Sequence, residues 1–193
     1  MAEITWELLE SQVEACSRCA LCGGISHKVP GQGDRHSPLM IIGEGPGAEE
    51  DRQGLAFVGP AGQLLTRMLA AIELPRDRVY ICNTVKCRPP GNRVPEPEER
   101  AACLMHLRMQ TALLRPKVIL LLGASAARTV LGEDTRITAV RGQWRQRRGT
   151  WIMPTYHPSA LLRDPAKKRA AWHDLQMLRD KLIELDCYGD IYR

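Results

Sequence analysis

Side chains that could bind or act on a ligand stand in four short segments of the 193-residue chain. Glu44 lies in the sequence GEGPG at 43–47, whose glycines would let the backbone approach a ligand closely. Asn83 offers a hydrogen-bond donor and an acceptor, which suits reading the edge of a nucleic-acid base. His157 could donate to an anionic oxygen, and Phe57, the only phenylalanine, could stack on a base.

Each of these residues also has a purely structural interpretation. The glycines could form a tight turn between a strand and a helix, and Phe57 could anchor the core. Asn83 could form an Asx turn or cap a helix. His157 could begin a helix that buries Leu161 and Leu162. A single motif therefore does not establish a function, and a functional site requires that the fold bring the motifs together.

The seven cysteines include two pairs that could bind a metal. Cys16 and Cys19 are separated by two residues, and Cys87 and Cys103 form a second pair further along the chain. An odd number of cysteines in a cytosolic chain argues against a disulfide framework. Four thiolates can hold a zinc ion or an iron–sulfur cluster, and the spacing does not choose between them. Cys82 lies within an apolar segment and fits a buried, unligated thiol.

The whole chain has a net charge of +5, and its basic side chains are concentrated in the last third. The segment 141–169 carries eight basic residues against one acid, Asp164. Such a patch suits a phosphate backbone, although a solvated surface would have the same composition. No apolar run reaches the ~20 residues that span a bilayer, and the N-terminus lacks a secretory pattern. We therefore expect a cytoplasmic protein that does not use a membrane.

Strands that alternate with helices indicate the elements that position these motifs. Short apolar runs predict buried strands, and helical spacing of apolar residues predicts the segments between them. The predicted strands are 39–42, 79–82, 118–122 and 151–157; the predicted helices are 3–15, 61–73, 97–114, 125–131 and 167–185. This alternation predicts an α/β fold with a mostly parallel sheet covered on both faces. Ligands of such sheets bind beyond the carboxyl ends of the strands, where the motifs lie.

Three longer segments, taken in order, resemble the iron–sulfur, or family 4, uracil-DNA glycosylases. They are GEGPGAEEDRQGLAFVGPAGQLL at 43–65, ICNTVKCRPPGNRVPEPEE at 81–99 and MPTYHPSALLR at 153–163. The resemblance covers nearly the whole chain and implies a single uracil-DNA glycosylase domain over residues 1–193. It also implies a three-layer α/β/α sandwich around a four-stranded, mostly parallel sheet. The expected partner is uracil-containing DNA, single-stranded or double-stranded, and the expected state is a monomer.

The resemblance also implies a [4Fe-4S] cluster as cofactor. Its ligands would be Cys16, Cys19, Cys87 and Cys103, with Cys22 as a nearby alternative in the N-terminal pair. The expected role of the cluster is structural, because it would tie the N-terminal segment to the region 87–103.

Roles for the residues of the base pocket follow from the same resemblance. Phe57 would stack on uracil, and Asn83 would read its O4 and N3–H edge. Glu50 would crowd the C5 position and exclude the thymine methyl. His157, with backbone N–H groups near Gly45, would stabilise the uracil anion as the glycosidic bond breaks.

Further roles concern water and DNA. Glu44 would position the attacking water and offset positive charge on the sugar. A glycosylase must flip its target out of the duplex, and Leu161 would fill the vacated stack. Arg163 and Lys167 would hold phosphates.

The chain departs from related enzymes at Gly45. Better-known members of the superfamily place a water-activating Asp there, which leaves a strong general base unidentified. A crosslinking branch carries Gln at this position and a histidine in an insertion after the second motif, and this chain has neither. We therefore expect hydrolysis and release. Rival functions are a non-catalytic, metal-stabilised DNA-binding module and a hydrolase of free nucleotides.

Overall fold

The centre of the protein is a six-stranded β-sheet in the computed structural model, which describes residues 4–192. The strands are β1 (Gln32–Gly33), β2 (Leu39–Gly43), β3 (Tyr80–Asn83), β4 (Val118–Leu122), β5 (Arg145–Arg147) and β6 (Thr150–Thr155). Their order across the sheet is β1-β3-β2-β4-β6-β5. The four inner strands are parallel, whereas β1 and β5 pair antiparallel at the two edges.

The expected four-stranded sheet accounts for the inner strands but not for the two edge strands. β1 has two residues, and all three residues of β5 are exposed. Neither segment therefore has the apolar run or alternation by which a strand is recognised. Backbone pairing to a stronger neighbour forms both of them. β5 and β6 together form a hairpin.

The helices that flank the sheet agree with the predicted ones where those are long. They are α1 (Trp6–Glu14), α2 (Ala48–Gln53), α3 (Pro60–Ala70), α4 (Pro97–Leu114), α5 (Gly123–Leu131), α6 (Ile137–Val140), α7 (Pro158–Arg163) and α8 (Lys168–Glu184). α2, α6 and α7 have six residues or fewer, too few for a helical period to be recognised with certainty. None of the helices within residues 4–192 is long and apolar enough to cross a membrane.

Alternate residues of β2 belong to two different cores, and this gives the fold its three layers. Leu39 and Ile41 pack with residues of α3 and α8, whereas Met40 and Ile42 pack with residues of α4 and α5. Every residue of β2 and β4 is buried, as expected for parallel strands that are covered on both faces. The α/β/α sandwich predicted from the sequence is confirmed.

The carboxyl ends of the inner strands are level with one another. Gly43 at the end of β2 pairs in register with Asn83 at the end of β3, and Leu122 of β4 pairs with Thr155 of β6. The segments that follow these residues therefore start at the same edge of the sheet. This register brings the motifs together although they are far apart in sequence.

Candidate functional site

A cleft of about 720 Å³ lies at this edge of the sheet. The side chains that line it include most of those predicted from the sequence: Glu44, Gly45, Glu50, Phe57, Asn83, His157, Arg163 and Lys167. Four chain segments supply them, and each follows one strand or leads into the helix after it. The structure thus brings these residues into one site, as the strand ends indicate.

His157 presents one defined ring nitrogen to the cleft. It caps the N-terminus of α7, and its Nδ1 accepts a hydrogen bond of 3.1 Å from the backbone N–H of Ser159. Because that N–H can only donate, Nδ1 carries no proton and a neutral ring is protonated at Nε2. Burial, and secondarily the positive charge of Arg163, lowers the pKa of His157 to about 4. At neutral pH the ring is therefore an uncharged Nε2–H donor.

Phe57 is held against His157 in a strained backbone conformation. Its φ of 53° lies in the left-handed region, which non-glycine residues seldom adopt. The ring centroids of Phe57 and His157 are 5.7 Å apart, with 34° between their planes. Glu50 secures the loop, because its Oε1 accepts from the backbone N–H groups of Val58 and Gly59, each at 2.8 Å. The strain is consistent with a ring that is placed for a ligand.

Gly43 makes room for two of the site residues at once. A Cβ on Gly43 would lie 2.4 Å from Cζ of Phe57 and 2.5 Å from Oδ1 of Asn83. Real contacts of this kind are about 3.5–4.0 Å for carbon, so no larger residue fits without movement. The glycine at the end of β2 is therefore required by the close approach of these two side chains.

The side-chain oxygen of Asn83 is buried without a partner. Only 1% of Asn83 is exposed, and its Oδ1 accepts no hydrogen bond from the part of the chain that the structure describes. No bond to Oδ1 from a described residue fixes the orientation of the amide. A buried acceptor without a donor costs about 1–3 kcal/mol. The arrangement is consistent with an acceptor that is reserved for an N–H group of a ligand.

Glu44 is the carboxylate of the cleft that stays available for chemistry. Burial raises the pKa of Glu44. The Ser125 hydroxyl opposes this rise, although it faces the carboxylate without a full hydrogen bond, and the charges of Arg100 and Arg163 oppose it more weakly. A raised pKa makes a carboxylate a better proton acceptor. A side chain at position 45 would have to displace Val85, because a Cβ on Gly45 would lie 2.8 Å from Cγ2 of that residue.

Glu50 is engaged by the backbone and is less accessible to a ligand than the sequence suggests. Besides the two bonds from Val58 and Gly59, its Oε2 accepts from the N–H of Gly47 at 3.1 Å. The carboxylate therefore joins the segment after β2 to the segment before α3. It lines the cleft, but its observed contacts hold the two walls together.

Leu161 is the one predicted DNA contact that the structure contradicts. It is 2% exposed and packs in the core, so it cannot enter a base stack. Leu162 is 46% exposed and lines the cleft instead. α7 explains the exchange, because successive residues of a helix point about 100° apart. Val94, 53% exposed, is a second large exposed apolar side chain on the lining, and the sequence contained no signal for it.

The basic segment 141–169 does not form one surface. Arg163 and Lys167 line the cleft, where the Lys167 ammonium is 5.8 Å from the centre of the Tyr156 ring. Arg147 pairs with Thr150 at the start of β6, which is the opposite end of the sheet. Arg141 forms an ion pair with the fully buried Asp174. Only part of the predicted patch can therefore contact a ligand in the cleft.

The predicted metal-binding cysteines line a separate apolar cavity beside α1 and α4. Cys16, Cys19, Cys87 and Cys103 are among its lining residues, together with Cys22. Burial raises the pKa of the Cys87 thiol to about 12, and the neighbouring thiols add to this rise. Within residues 4–192, no three His, Cys, Asp or Glu side chains are grouped to hold a metal ion. The thiols thus share a cavity but not a single coordination point.

Backbone and side-chain donors at this cavity fit a group that carries sulfur and negative charge. Burial raises the pKa of the Cys19 thiol, and the backbone N–H of Leu21, which is directed to its sulfur, opposes this rise. The backbone N–H of Lys86 acts in the same way on Cys103. His106, also on the lining, has both ring nitrogens buried without a partner among the described residues. These donors and thiols fit a thiolate-ligated cluster.

Lys86 links this cavity to the cleft, and sequence reasoning did not find it. Its ammonium group is buried and donates to the backbone carbonyl of Asn83 and to Oε1 of Gln110, each at 2.6 Å. Gln110 in turn donates to the hydroxyl of Tyr80 at 2.8 Å. Lysine is seldom buried, so a sequence pattern does not mark such a position.

Comparison with known proteins identifies relatives over most of the chain. The family model of the uracil DNA glycosylase superfamily matches residues 30–176. A type-4 uracil-DNA glycosylase of Thermotoga maritima is 44% identical over 162 residues, which cover 82% of this chain and 83% of that protein. One of Sulfurisphaera tokodaii is 39% identical over 186 residues, 92% and 84% of the two chains. A type-5 uracil-DNA glycosylase of Pyrobaculum aerophilum is 35% identical over 150 residues, 69% and 66% of the two chains.

Proposed function

The chain belongs to the type-4 family of the uracil-DNA glycosylase superfamily, and from this premise we propose how its cleft removes uracil from DNA. Membership makes the chain a DNA glycosylase, which is a hydrolase of the N-glycosidic bond. One observation carries the proposal in particular. A neutral histidine donor, an unpaired amide oxygen and an aromatic ring lie in a single cleft at the strand ends.

Recognition of the base rests on Asn83 and Phe57. A flipped uracil stacks on the Phe57 ring, while Oδ1 of Asn83 accepts from N3–H and its NH₂ group donates to O4. The unpaired, buried state of Oδ1 supports this role, because the uracil N–H relieves the cost of the missing bond. Cytosine presents an acceptor at N3 and a donor at N4, so it is rejected as long as the Asn83 amide keeps this orientation; an amide rotated by half a turn would fit cytosine.

Stabilisation of the leaving group rests on His157. As the bond between C1′ and N1 breaks, its electron pair leaves with uracil, and negative charge develops on the base. The Nε2–H of His157 donates to that charge in a partly buried site, where such a bond is stronger than in water. The lowered pKa of His157 supports a neutral donor, since a proton is then not lost to the uracil anion.

Addition of water rests on Glu44. The water oxygen bonds to C1′, and the water proton is released to Glu44 or to solvent. Glu50 is occupied by three backbone N–H groups, so Glu44 is better placed than Glu50 to orient water and to offset the positive charge on the sugar. Glu50 contributes by holding Phe57 and the wall at Gly47 in place, and this wall restricts space for a methyl group at C5.

Contact with DNA rests on the rim of the cleft. Arg163 and Lys167 contact phosphates of single-stranded or double-stranded DNA. Leu162, in place of the buried Leu161, fills the stack that the flipped base leaves.

The cavity beside α1 and α4 would hold a [4Fe-4S] cluster on Cys16, Cys19, Cys87 and Cys103. When bound, such a cluster supplies four iron–thiolate links, and it can also exchange electrons. The residues themselves indicate a structural use. Cys87 follows Asn83 by four residues, so a link from Cys87 to the N-terminal segment also steadies the segment that carries the base reader.

Incubation with a uracil-containing oligonucleotide tests the function. We expect released uracil and alkali-labile abasic sites, with no release of uracil from free dUMP. His157→Ala should slow excision by about 10²–10³-fold, the usual loss for one such donor, whereas His173→Ala, at an exposed position, serves as the matched control.

Three results would contradict the proposal. Tight binding of the oligonucleotide without release of uracil would indicate a binding module. Cleavage of dUMP would indicate a nucleotide hydrolase, and a protein–DNA adduct that survives denaturation would indicate crosslinking chemistry.

A further inference from the structure

His106 on α4 has no hydrogen-bond partner although it is almost completely buried. Only 1% of the residue is exposed, and both Nδ1 and Nε2 lack a partner in the described part of the chain. An imidazole carries at least one N–H group in every protonation state. Leaving that donor unsatisfied in the interior costs about 1–3 kcal/mol, so an interior histidine normally has an acceptor.

The surroundings of His106 show where an acceptor would have to come from. The residue lines the same cavity as the predicted cluster ligands, and it follows Cys103 by one turn on the same face of α4. The other side chains on the lining are cysteines, apolar groups and the two cations Arg18 and Lys86. Strong acceptors are lacking among them, and thiol sulfur is only a weak one.

We propose that His106 donates an N–H hydrogen bond to a sulfur atom of the [4Fe-4S] cluster, and so positions and stabilises it. This inference rests on the proposed cofactor. Cluster sulfides and iron-bound thiolates are negatively polarised acceptors, and hydrogen bonds to them are one of the means by which a protein tunes a cluster. The bond would add a side-chain donor to the backbone donors at Cys19 and Cys103. His106 is then a positioning residue, which does not contact DNA.

Two substitutions separate the hydrogen bond from packing. His106→Phe keeps a planar ring of similar size but removes every N–H group. His106→Gln is smaller but restores a donor. The exposed His173→Phe is the control for the loss of a histidine elsewhere.

Iron release to a chelator is measured on the purified, iron-loaded proteins. We expect His106→Phe to lose iron about tenfold faster than wild type, at the lower end of the effect of removing such a partner. His106→Gln should recover much of the difference, and His173→Phe should match wild type.

Resonance Raman spectra give a readout that packing alone would not change. A hydrogen bond draws electron density from sulfur and weakens the iron–sulfur bond. The iron–sulfur stretching bands should therefore shift to higher frequency in His106→Phe and return toward wild type in His106→Gln. Exchange into D₂O should shift the same bands less in His106→Phe than in wild type, because the backbone donors at Cys19 and Cys103 exchange in both proteins and only wild type has the His106 donor.

The possible failures are distinguishable. A purified wild-type protein that contains zinc or no iron would overturn the cofactor and this inference with it. An iron-loaded protein whose bands and whose deuterium shift are the same in wild type and in His106→Phe would overturn the inference alone. Nitrogen bound directly to iron, detected by pulsed EPR of the reduced cluster and lost in His106→Phe, would overturn it in favour of ligation.

Discussion

Replacing Gly43 with alanine tests whether the geometry of the cleft sets the rate of excision. The new Cβ would lie 2.4 Å from Cζ of Phe57 and 2.5 Å from Oδ1 of Asn83. Ordinary carbon contacts are about 3.5 Å, so each side chain must move by about 1 Å. Gly43 is paired to Asn83 within the sheet, so the backbone cannot withdraw without breaking that pairing.

The expected magnitude follows from this displacement. A misplacement of about 1 Å near the reacting groups costs on the order of 10²-fold in rate, which corresponds to about 2.7 kcal/mol of barrier. We therefore expect kcat/KM for uracil excision to fall about 10²-fold in Gly43→Ala. Overpacking should also lower the free energy of unfolding by about 1–3 kcal/mol. The protein should still fold, because the change is confined to the last residue of β2.

The assay is single-turnover excision from a labelled uracil oligonucleotide, followed by alkaline cleavage. Gly189→Ala is the matched control, because a Cβ at that position would meet no atom within 4 Å. Thermal melting and iron content identify any general loss of structure. A folded Gly43→Ala protein that excises uracil at the wild-type rate would refute the reasoning, since neither Phe57 nor Asn83 could then depend on its observed position.

Three further predictions concern neighbouring residues. Leu162→Ala should slow excision from double-stranded DNA more than from single-stranded DNA, without lowering Tm. Leu161→Ala should instead lower the free energy of unfolding by about 2–5 kcal/mol, because Leu161 is buried. The reverse pattern would restore Leu161 as the residue that fills the base stack. Asn83→Asp should lose most uracil excision, because it replaces the NH₂ donor with a second acceptor, and full activity would remove Asn83 as the base reader. Because folding lowers the pKa of His157 from 6.5 to about 4, the unfolded chain binds a proton in this interval that the folded chain does not. As the pH is lowered from about 6.5 to about 4, the Tm of wild type should therefore fall relative to that of His157→Phe, and above pH 6.5 the difference should stay constant. A difference in Tm that is constant over the whole range would contradict the buried, neutral ring.

Much of the site could be predicted because its residues stand next to recognisable strands. The apolar runs before Gly43 and Asn83 mark buried strands, and the parallel arrangement then places whatever follows them at one edge. His157 and Glu44 were found in this way, and the structure places both in the cleft. Their chemical states were not predictable, since the tautomer of His157 depends on Ser159 and the burial of both groups depends on the whole fold.

The sequence by itself determined the order of the four inner strands and of the long helices along the chain, the α/β class and the family, because apolar periodicity and long motifs are local properties of the chain. Only the tertiary structure decided which of two adjacent leucines is exposed, since one step along α7 turns Leu161 into the core and Leu162 toward the cleft. The tertiary structure alone also shows that the ring nitrogens of His106 and Oδ1 of Asn83 have no hydrogen-bond partner among the described residues. Whether a polar atom is satisfied depends on groups that are distant in sequence, and no local pattern contains that information.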